Sequence, residues 1–322
     1  MRHESYELKQ MQSLPLEAKI IMTQQRIRQW YEHWDGEVCV SFSGGKDSTV
    51  LKHIVDGMYD DVPALFVNTG LEYPELQSFV RNIKAGKYEC FNSNIEIVRP
   101  EMRFDEVLKV YGYPVISKTV ANKVEGAKPG NTRWLQLKGG FLNPKNGEYS
   151  QFNIPKWGFL LDADFKISDK CCTVMKKRPA KKYTKESGRK PMLGMMASES
   201  KARRDAWMKT GCNAFDLKEP QSQPMAFWTE QDVLEYIRRF NVPYATVYGD
   251  IVSEDGKLKT TGCSRSGCLF CAFGCHLERG QNRFQKLKET HPRQYEYCIK
   301  GGERWQTENG FQIKKVWEWV KF

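Results

Sequence analysis

Six consecutive residues combine the side chains and the backbone freedom that an anion site needs. The stretch runs from Ser43 to Ser48, reads SGGKDS, and holds two glycines, a lysine, an aspartate and two serines. Apolar residues alternate before it, which predicts a strand, and recur at helical spacing after it, which predicts a helix. The loop between them directs unpaired N–H groups to the helix entrance, where the helix dipole also favours negative charge. With Lys46 as an added cation, the loop is a candidate site for a bulky anion.

Two further polar stretches follow predicted strands. VNTG follows the second strand, and LGMMASESKARR contains an acid, a hydroxyl and a guanidinium after a later strand. In an open parallel sheet, ligands bind at the carboxyl ends of strands, so both stretches are expected to face the same crevice as the first loop. A guanidinium is suited to phosphate or sulfate. The candidate residues are Asn68, Thr69, Gly70, Glu199, Ser200 and Arg203.

The cysteines indicate metal or redox chemistry. The chain has ten, and in a protein without a secretory signal such a number favours metal binding over disulfide bonds. The stretch TGCSRSGCLFCAFGCH places four of them within thirteen residues: Cys263, Cys268, Cys271 and Cys275. The two thiolates of a CxxC pair can bind one metal ion. Four thiolates suit either zinc or an iron–sulfur cluster, and the spacing leaves both open.

The elements that must position these residues alternate between strand and helix. Strands are predicted at VCVSF, ALFVNTG, IEIVRP and PMLGMMA, with helices between them. This order predicts an α/β fold, with a parallel twisted sheet and helices on both faces. Thr229 followed by Asp232 predicts a capped helix over WTEQDVLEYIRRF.

Three regions are predicted along the chain. A helical lead-in occupies residues 1–35, and the α/β domain that carries the first loop occupies residues 36–225. Glycine and proline near residues 126–160 predict an insertion of loops with a hairpin. Residues 226–322 are predicted to form a smaller helical, cysteine-rich cap.

Charge and hydropathy limit the classes of protein. The net charge is +11, and Lys170 to Lys190 carries nine basic side chains against one acid, Glu186. Such a stretch is either a solvated face or a contact for nucleic acid or another anion. No run of eighteen apolar residues occurs and the N-terminus lacks an apolar signal core, which predicts a cytoplasmic protein without a membrane partner.

The polar stretches resemble motifs of one superfamily. SGGKDS resembles the PP-loop of the ATP pyrophosphatases and sulfonucleotide reductases (the adenine nucleotide alpha hydrolase-like fold), and VNTGLEYPE resembles their second motif. The third stretch resembles Gly-x-Arg-x-x-Glu-Ser-x-x-Arg, but Met196 replaces the first arginine. The resemblance implies ATP or a related adenine nucleotide as ligand, with Mg²⁺ expected beside ATP. It implies catalytic roles for Lys46, Asp47 and Arg203. It implies a nucleotide site formed by Ser43, Gly44, Gly45, Lys46, Asp47, Ser48, Asn68, Thr69, Gly70, Gly194, Glu199, Ser200 and Arg203.

Two cysteine motifs resemble those of the assimilatory adenylylsulfate reductases. KCCTVMKKRP resembles their tandem cysteines and SGCLFCA their Gly-Cys-x-x-Cys, and the whole likeness runs from about residue 36 to residue 275. By this resemblance, a 4Fe-4S cluster is bound by Cys171, Cys172, Cys268 and Cys271. A compact set of Cys263, Cys268, Cys271 and Cys275 remains the alternative.

One departure bears on the reaction. The reductases carry a nucleophilic cysteine in a C-terminal Glu-Cys-Gly-(Leu or Ile)-His motif, and this chain ends KKVWEWVKF. The resemblance therefore favours ATP-dependent, adenylating sulfur transfer of the phosphoadenosine phosphosulfate reductase-like group, as in DNA phosphorothioation, with a sulfur donor protein and a nucleic acid as candidate partners. One alternative is a true sulfonucleotide reductase with Cys275 as nucleophile. Another is a zinc-stabilised nucleic-acid-binding protein.

Overall fold

The computed structural model describes residues 3–278, 280–300 and 316. Its helices are α1 (Ser5–Gln12), α2 (Leu16–His33), α3 (Lys46–Asp56), α4 (Pro74–Lys84), α5 (Phe104–Tyr111), α6 (Lys118–Glu125), α7 (Thr132–Lys138), α8 (Arg178–Ser187), α9 (Lys201–Thr210), α10 (Glu230–Arg239), α11 (Arg283–Thr290) and α12 (Pro292–Lys300). Its strands are β1 (Val38–Ser41), β2 (Ala64–Val67), β3 (Ile95–Val98), β4 (Val115–Ile116), β5 (Lys190–Leu193), β6 (Asn213–Ala214), β7 (Gln221–Ser222), β8 (Ile251–Glu254), β9 (Lys257–Thr260) and β10 (Ala272–Phe273). Shorter helical turns occupy Pro155–Asp162, Thr173–Lys177, Ala197–Glu199, Thr246–Tyr248 and Cys275–Leu277.

The chain divides into two compact units, and neither is a continuous segment. The first comprises Met1–Arg99 and Pro179–Ser266, and the second comprises Pro100–Arg178 and Gly267–Phe322. The chain leaves the first unit after β3 and returns to it at the start of the segment that leads into β5. This division cuts across the predicted boundaries at residues 36 and 226. Sequence periodicity cannot predict that the chain leaves one unit and returns to it later, because periodicity reports only the local type of element and not the unit to which that element belongs.

The first unit contains the predicted α/β sheet. Its six strands lie in the order β3-β2-β1-β5-β7-β6, and all neighbours are parallel except the last pair. Val38, Cys39 and Val40 of β1 are fully buried, as expected for a central parallel strand covered on both faces. The predicted fold class is therefore confirmed. The chain continues from β1 to β2 on one side, while β5 pairs on the other, so the sheet has its switch point at the carboxyl end of β1.

The predicted helical lead-in packs into this unit. Ile27 and Trp30 of α2 are fully buried. Lys19 of α2 is also buried, and its Nζ lies 2.8 and 2.7 Å from the two carboxylate oxygens of Asp232 in α10. Thr229 caps α10 as predicted, with its hydroxyl accepting from the Asp232 N–H. Thus α2 is part of the same core as α10, although some 200 residues separate them in the chain.

The second unit has a small sheet and several helices. β4 and β10 pair in parallel, and Tyr113 forms a parallel bridge to Ile167. The predicted insertion near residues 126–160 holds one helix that the sequence analysis missed, α7, capped by the side chain of Asn131. An antiparallel bridge joins Leu142 and Tyr149, in agreement with the predicted hairpin. Beyond Lys300, all of the predicted C-terminal region except Val316 lies outside the described residues.

Helices long enough to span a membrane are at least eighteen residues. Within the described part of the chain, none combines that length with sufficient apolar character.

Candidate functional site

The loop between β1 and α3 is closed by its own serines. The Ser43 N–H donates to Ser48 Oγ over 3.2 Å, and Ser48 Oγ donates to the Gly45 carbonyl over 3.0 Å. Gly44 has a φ of +72°, which only glycine adopts without strain, and Gly45 is the residue before α3. The loop therefore curls over the start of α3, where the N–H groups of the first turn have no partner within the helix.

Lys46 is held at the start of α3 by groups from the same unit. Its side chain is buried, with Nζ 3.1 Å from Glu230 Oε1 and 3.0 Å from the Ser264 carbonyl. The ring centroid of Tyr248 lies 5.2 Å from the same nitrogen. Burial raises the pKa of Tyr248 to about 12, so its hydroxyl is neutral and hydrogen-bonds with Ser266 Oγ. The lysine cation is thus shared between one carboxylate and one carbonyl.

Charged groups of both signs surround Asp47. Burial raises the pKa of the Asp47 carboxyl, while the charges of Lys46 and Arg203 oppose that rise. Burial also lowers the pKa of the Arg203 guanidinium. Arg203 forms an ion pair with Glu199, and Arg265 Nη1 lies 3.9 Å from the other oxygen of the same carboxylate. Three cations therefore lie near one carboxyl whose burial disfavours its charge.

The loop after β5 touches the start of α3 through its backbone. A Cβ on Gly194 would lie 3.0 Å from the carbonyl carbon and oxygen of Asp47, closer than an ordinary contact, so a side chain there would press on the backbone of α3. Met196, which stands where the resembling family has an arginine, is buried in the hydrophobic core of the first unit. Its N–H donates to Glu199 Oε2 over 3.1 Å. Ser200 Oγ caps α9 by accepting from the Arg203 N–H, so Ser200 orders the helix that presents Arg203.

The second polar stretch is a turn stabilised by its own side chains. The Thr69 hydroxyl donates to Glu72 Oε1 over 2.6 Å, and the Gly70 N–H donates to Asn68 Oδ1 over 3.0 Å. The turn leads into α4, whose Leu76 side chain lies 3.3 Å from where a Cβ on Gly44 would stand. The stretch therefore reaches the first loop through α4, and Asn68 and Thr69 are occupied in shaping the turn.

Four residues of this site were missed by the sequence analysis. They belong to the same unit and come from the turn before α4 and from the segments at 230–248 and 264–266: Glu72, Glu230, Tyr248 and Arg265. Arg265 lies between Cys263 and Cys268, and the sequence analysis considered this segment only as a source of metal ligands. Glu72 has a sequence signal, the Thr-x-x-Glu spacing from Thr69. Glu230 and Tyr248 have no local signal, because only the tertiary fold brings them to Lys46.

The cysteines predicted as ligands lie together in the second unit. The thiols of Cys171 and Cys172 hydrogen-bond to each other, and Cys171 interacts electrostatically with Cys271 and Cys268. The Cys271 N–H donates to the Cys268 carbonyl over 3.0 Å, which closes the CxxC turn. A π-helical turn, Thr173–Lys177, follows the tandem cysteines, and such turns are frequent at functional sites.

The electrostatics of these thiols favour a thiolate. The hydrogen bond from Cys171 and the cations of Lys118, Lys176 and Lys177 together lower the pKa of Cys172 to about 6, although burial opposes this change. The same pairing raises the pKa of Cys171. Among the described residues, no three histidine, cysteine, aspartate or glutamate side chains stand in metal-binding geometry. The four thiols come from two segments and have lysines beside them, and their assignment as metal ligands stays a prediction.

The remaining cysteines differ in their surroundings. Cys263 belongs to the first unit. Cys275 belongs to the second and is buried, and burial raises its pKa to about 11. The charge of Glu278 adds to that rise, while Arg283 opposes it. The Cys275 thiol is therefore neutral near neutral pH. The alternative ligand set with Cys263 and Cys275 remains a prediction.

The basic stretch 170–190 contains the whole of α8. Lys181 in this helix is exposed and pairs with Glu219 over 2.6 Å. Pro179 is the buried residue of α8, and its other described side chains are at least partly exposed.

An open, mainly parallel sheet with helices on its faces and a glycine loop at its switch point defines the chain as an α/β protein of the doubly wound type. The model of the phosphoadenosine phosphosulfate reductase domain matches residues 37–128 and 135–273. The chain belongs to that family, whose members include enzymes of sulfur metabolism.

Similar proteins vary in how much they share with this chain. Two uncharacterized proteins of Methanocaldococcus jannaschii are 23% and 21% identical over 91% of the chain, which covers 48% and 55% of their own lengths. The chain thus spans about half the length of these relatives. A phosphoadenosine 5′-phosphosulfate reductase of Vibrio campbellii is 29% identical over 84 residues, 26% of this chain and 31% of that protein.

Two solved structures are similar at 15% identity. One is a phosphoadenylyl-sulfate reductase from Candida auris in complex with phosphate, with a TM-score of 0.40 over 80% of this chain and 98% of that one. The other is a U34-tRNA thiolase, NcsA, from Methanococcus maripaludis with its 4Fe-4S cluster, with a TM-score of 0.37 over 92% of this chain and 83% of that one. At such scores neither structure describes the activity of this chain.

Proposed function

We propose that this chain is an adenine-nucleotide-dependent PP-loop enzyme of sulfur chemistry. It binds ATP at the loop from Ser43 to Ser48, adenylates an acceptor with release of pyrophosphate, and transfers sulfur with the help of an iron–sulfur cluster. The observation that carries the proposal is the group of cations at the start of α3, Lys46, Arg203 and Arg265, beside a glycine loop at the sheet's switch point.

Each of these groups has a physical role toward a triphosphate. The N–H groups of the first turn of α3 donate to phosphate oxygens, and Gly44 and Gly45 permit their close approach. When ATP binds, Lys46 leaves the Glu230 carboxylate and pairs with a phosphate oxygen, because the triphosphate carries more negative charge than a single carboxylate. Arg203 and the exposed Arg265 bind further phosphate oxygens, since a guanidinium matches phosphate geometry. Asp47 supplies a carboxylate oxygen for the Mg²⁺ that accompanies ATP.

The proposed reaction is a displacement at phosphorus. An acceptor oxygen attacks the α-phosphorus of ATP, the new O–P bond forms, and the bond to the β-phosphate breaks to release pyrophosphate. Lys46 and the arginines stabilise the charge that develops on the phosphate oxygens. A sulfur nucleophile from a donor protein then displaces AMP from the acceptor carbon.

We assign the cluster to Cys171, Cys172, Cys268 and Cys271 in the second unit. The neighbouring thiols and the lowered pKa of Cys172 support this assignment. When bound, a 4Fe-4S cluster supplies redox-active iron among sulfur ligands. Two of the lysines beside Cys172, Lys118 and Lys176, balance the negative charge of thiolate ligands.

The alternative of a true sulfonucleotide reductase needs a reactive thiolate, and Cys275 is the candidate. Its burial and raised pKa count against that role. With thioredoxin present, we expect little sulfite from adenylylsulfate or its 3′-phosphate, and slow cleavage of ATP to AMP and pyrophosphate. Abundant sulfite production that the Cys275→Ser substitution abolishes would make the protein a reductase.

Calorimetry tests the nucleotide site. We expect ATP to bind the wild type, and Lys46→Ala to weaken the affinity about 10- to 100-fold, the value of one hydrogen bond to a charged group. Lys87→Ala removes an exposed lysine of the same unit and should change nothing. Titrations with adenylylsulfate and its 3′-phosphate on the same proteins establish which nucleotide is preferred. Equal affinity of Lys46→Ala and wild type would refute the site.

A further inference from the structure

Large aromatic rings stand exposed on the second unit, away from the cysteines in sequence. Tyr149 is 76% exposed and Phe152 is 59% exposed, and the two flank the buried Ser150. Scattered exposed apolar residues are ordinary, but neighbouring exposed rings are enriched at binding surfaces. Leu142, which bridges to Tyr149, is exposed as well.

Hydrogen bonds fix the backbone that carries these rings. The Ser150 N–H donates to the Phe141 carbonyl over 3.0 Å, and the Asn143 N–H donates to the Glu148 carbonyl over 2.7 Å. Asn153 Nδ2 donates to the carbonyls of Gly139 and Phe141. Because the loop is already ordered, a ligand that stacks on the rings loses little of its binding energy to ordering the protein.

Lysines stand beside two aromatic rings of this segment, Phe152 and Trp157. Lys123 Nζ donates to the Phe152 carbonyl over 2.6 Å and lies 6.0 Å from the centroid of the Phe152 ring. Lys156 Nζ lies 5.0 Å from the centroid of the Trp157 ring. Between Lys118 and Lys156 the sequence carries seven lysine and arginine residues against two glutamates. The region is therefore positive as well as aromatic.

We propose that this surface binds a single-stranded nucleic acid, with bases stacked on the rings and phosphates on the lysines. We call it the aromatic–basic surface and define it by Lys123, Lys145, Tyr149, Phe152, Lys156 and Trp157. Unpaired bases stack on exposed aromatic side chains, whereas the bases of a duplex are stacked on each other and inaccessible. The positive charge selects a polyanion over an apolar protein partner. This site is distinct from the nucleotide loop and from the basic stretch 170–190, and does not depend on the reaction proposed above.

Fluorescence anisotropy with the full chain tests the proposal. The probes are labelled single-stranded RNA and single-stranded DNA of about 20 nucleotides, a length that exceeds common single-strand site sizes, and a DNA duplex of the same sequence. We expect both single strands to bind more tightly than the duplex, and the two affinities to establish which sugar is preferred. Tyr149→Ala and Phe152→Ala should each weaken binding about fivefold or more, as the loss of one stacked base does.

Matched variants separate stacking from folding. Tyr149→Phe keeps the ring and should bind like the wild type. Tyr6→Ala removes a ring of similar exposure from the first unit and should also bind like the wild type. Lys145→Ala and Lys156→Ala should each reduce the slope of log affinity against log salt by about 0.7, the value for one phosphate contact on a single strand.

Three outcomes would overturn the proposal. These are no binding of either single strand at low salt, a duplex bound as tightly as the single strands, and affinities that ring removal leaves unchanged. In the last case, loss of binding with Lys181→Ala and Lys185→Ala would assign the contact to α8 instead. ATP calorimetry on Tyr149→Ala is a separate measurement, so failure of the nucleotide site and failure of this surface can be told apart.

Discussion

Substitution of Gly194 by alanine should disturb the loop from Ser43 to Ser48, because the added Cβ would press on the backbone of Asp47 and Ser48. A Cβ there would lie 3.0 Å from the Asp47 carbonyl carbon and oxygen and 3.0 Å from Ser48 Cα. Carbon atoms in favourable contact are about 3.5–4.0 Å apart, so the two segments must separate by a few tenths of an ångström. Because these three atoms all belong to the backbone, no side chain can rotate away. Overpacking of this kind costs about 1–3 kcal/mol of unfolding free energy.

The displaced residues are the ones that begin α3. We therefore expect Gly194→Ala to lower the urea unfolding midpoint and to weaken ATP binding, because Asp47 and Ser48 leave their positions in the loop. Gly57→Ala is the matched control, since it lies at the other end of α3 and its Cβ would stand 3.5 Å from the nearest atom, an ordinary contact. Unfolding and ATP affinity of Gly194→Ala that equal those of the control would refute this account of the loop.

Three further predictions concern the core, the loop and the cysteines. Lys19→Met leaves the Asp232 carboxylate without its buried cation and should lower the unfolding free energy by about 3–5 kcal/mol in urea titrations; a loss no larger than that of an exposed lysine would contradict it. Burial raises the pKa of Asp47, so the carboxyl is neutral below that pKa and repels phosphate above it. ATP affinity without Mg²⁺ should thus fall as pH rises through that pKa in wild type and fall less in Asp47→Asn, and parallel profiles would exclude Asp47 as the cause. Anaerobically prepared protein should contain iron with broad visible absorbance, which Cys172→Ser removes and Cys263→Ser retains; the reverse pattern, or zinc alone, would reject the assigned ligands.

The sequence was sufficient wherever the deciding interactions are local. The alternation in Val38 to Phe42 identified the central strand, because a buried strand needs apolar residues whatever its neighbours are. The capped start of α10 was also predictable, since Thr229 and Asp232 bond to each other's backbone three residues apart. Gly44 marked the loop for the same reason, because its φ of +72° is a local requirement of the turn.

What the sequence could not supply depends on contacts between distant segments. Glu230 and Ser264 contact Lys46 although about 180 and 220 residues of chain separate them from it, and no sequence periodicity predicts these contacts. Helix α7 was missed because the glycines and prolines around it indicated loops, while its caps, Asn131 and Gly139, are residues that loops also use. The division into two units escaped prediction because the chain leaves and re-enters the first unit without a change in composition.

The exchange of an arginine for Met196 is the clearest link between fold and proposed substrate. Met196 is buried in the core of the first unit, so an arginine with its charge in the same place would lack water. The site instead takes a cation from Arg265, which reaches Glu199 from a segment some 65 residues further along the chain. Because Arg265 is exposed, solvent weakens its attraction for an anion, and its position is less fixed than that of a side chain from the strand end. We therefore expect a site with this arrangement to favour phosphate through the loop and Lys46 and to hold a terminal sulfate less firmly. For this reason we place ATP ahead of a phosphosulfate nucleotide as its ligand.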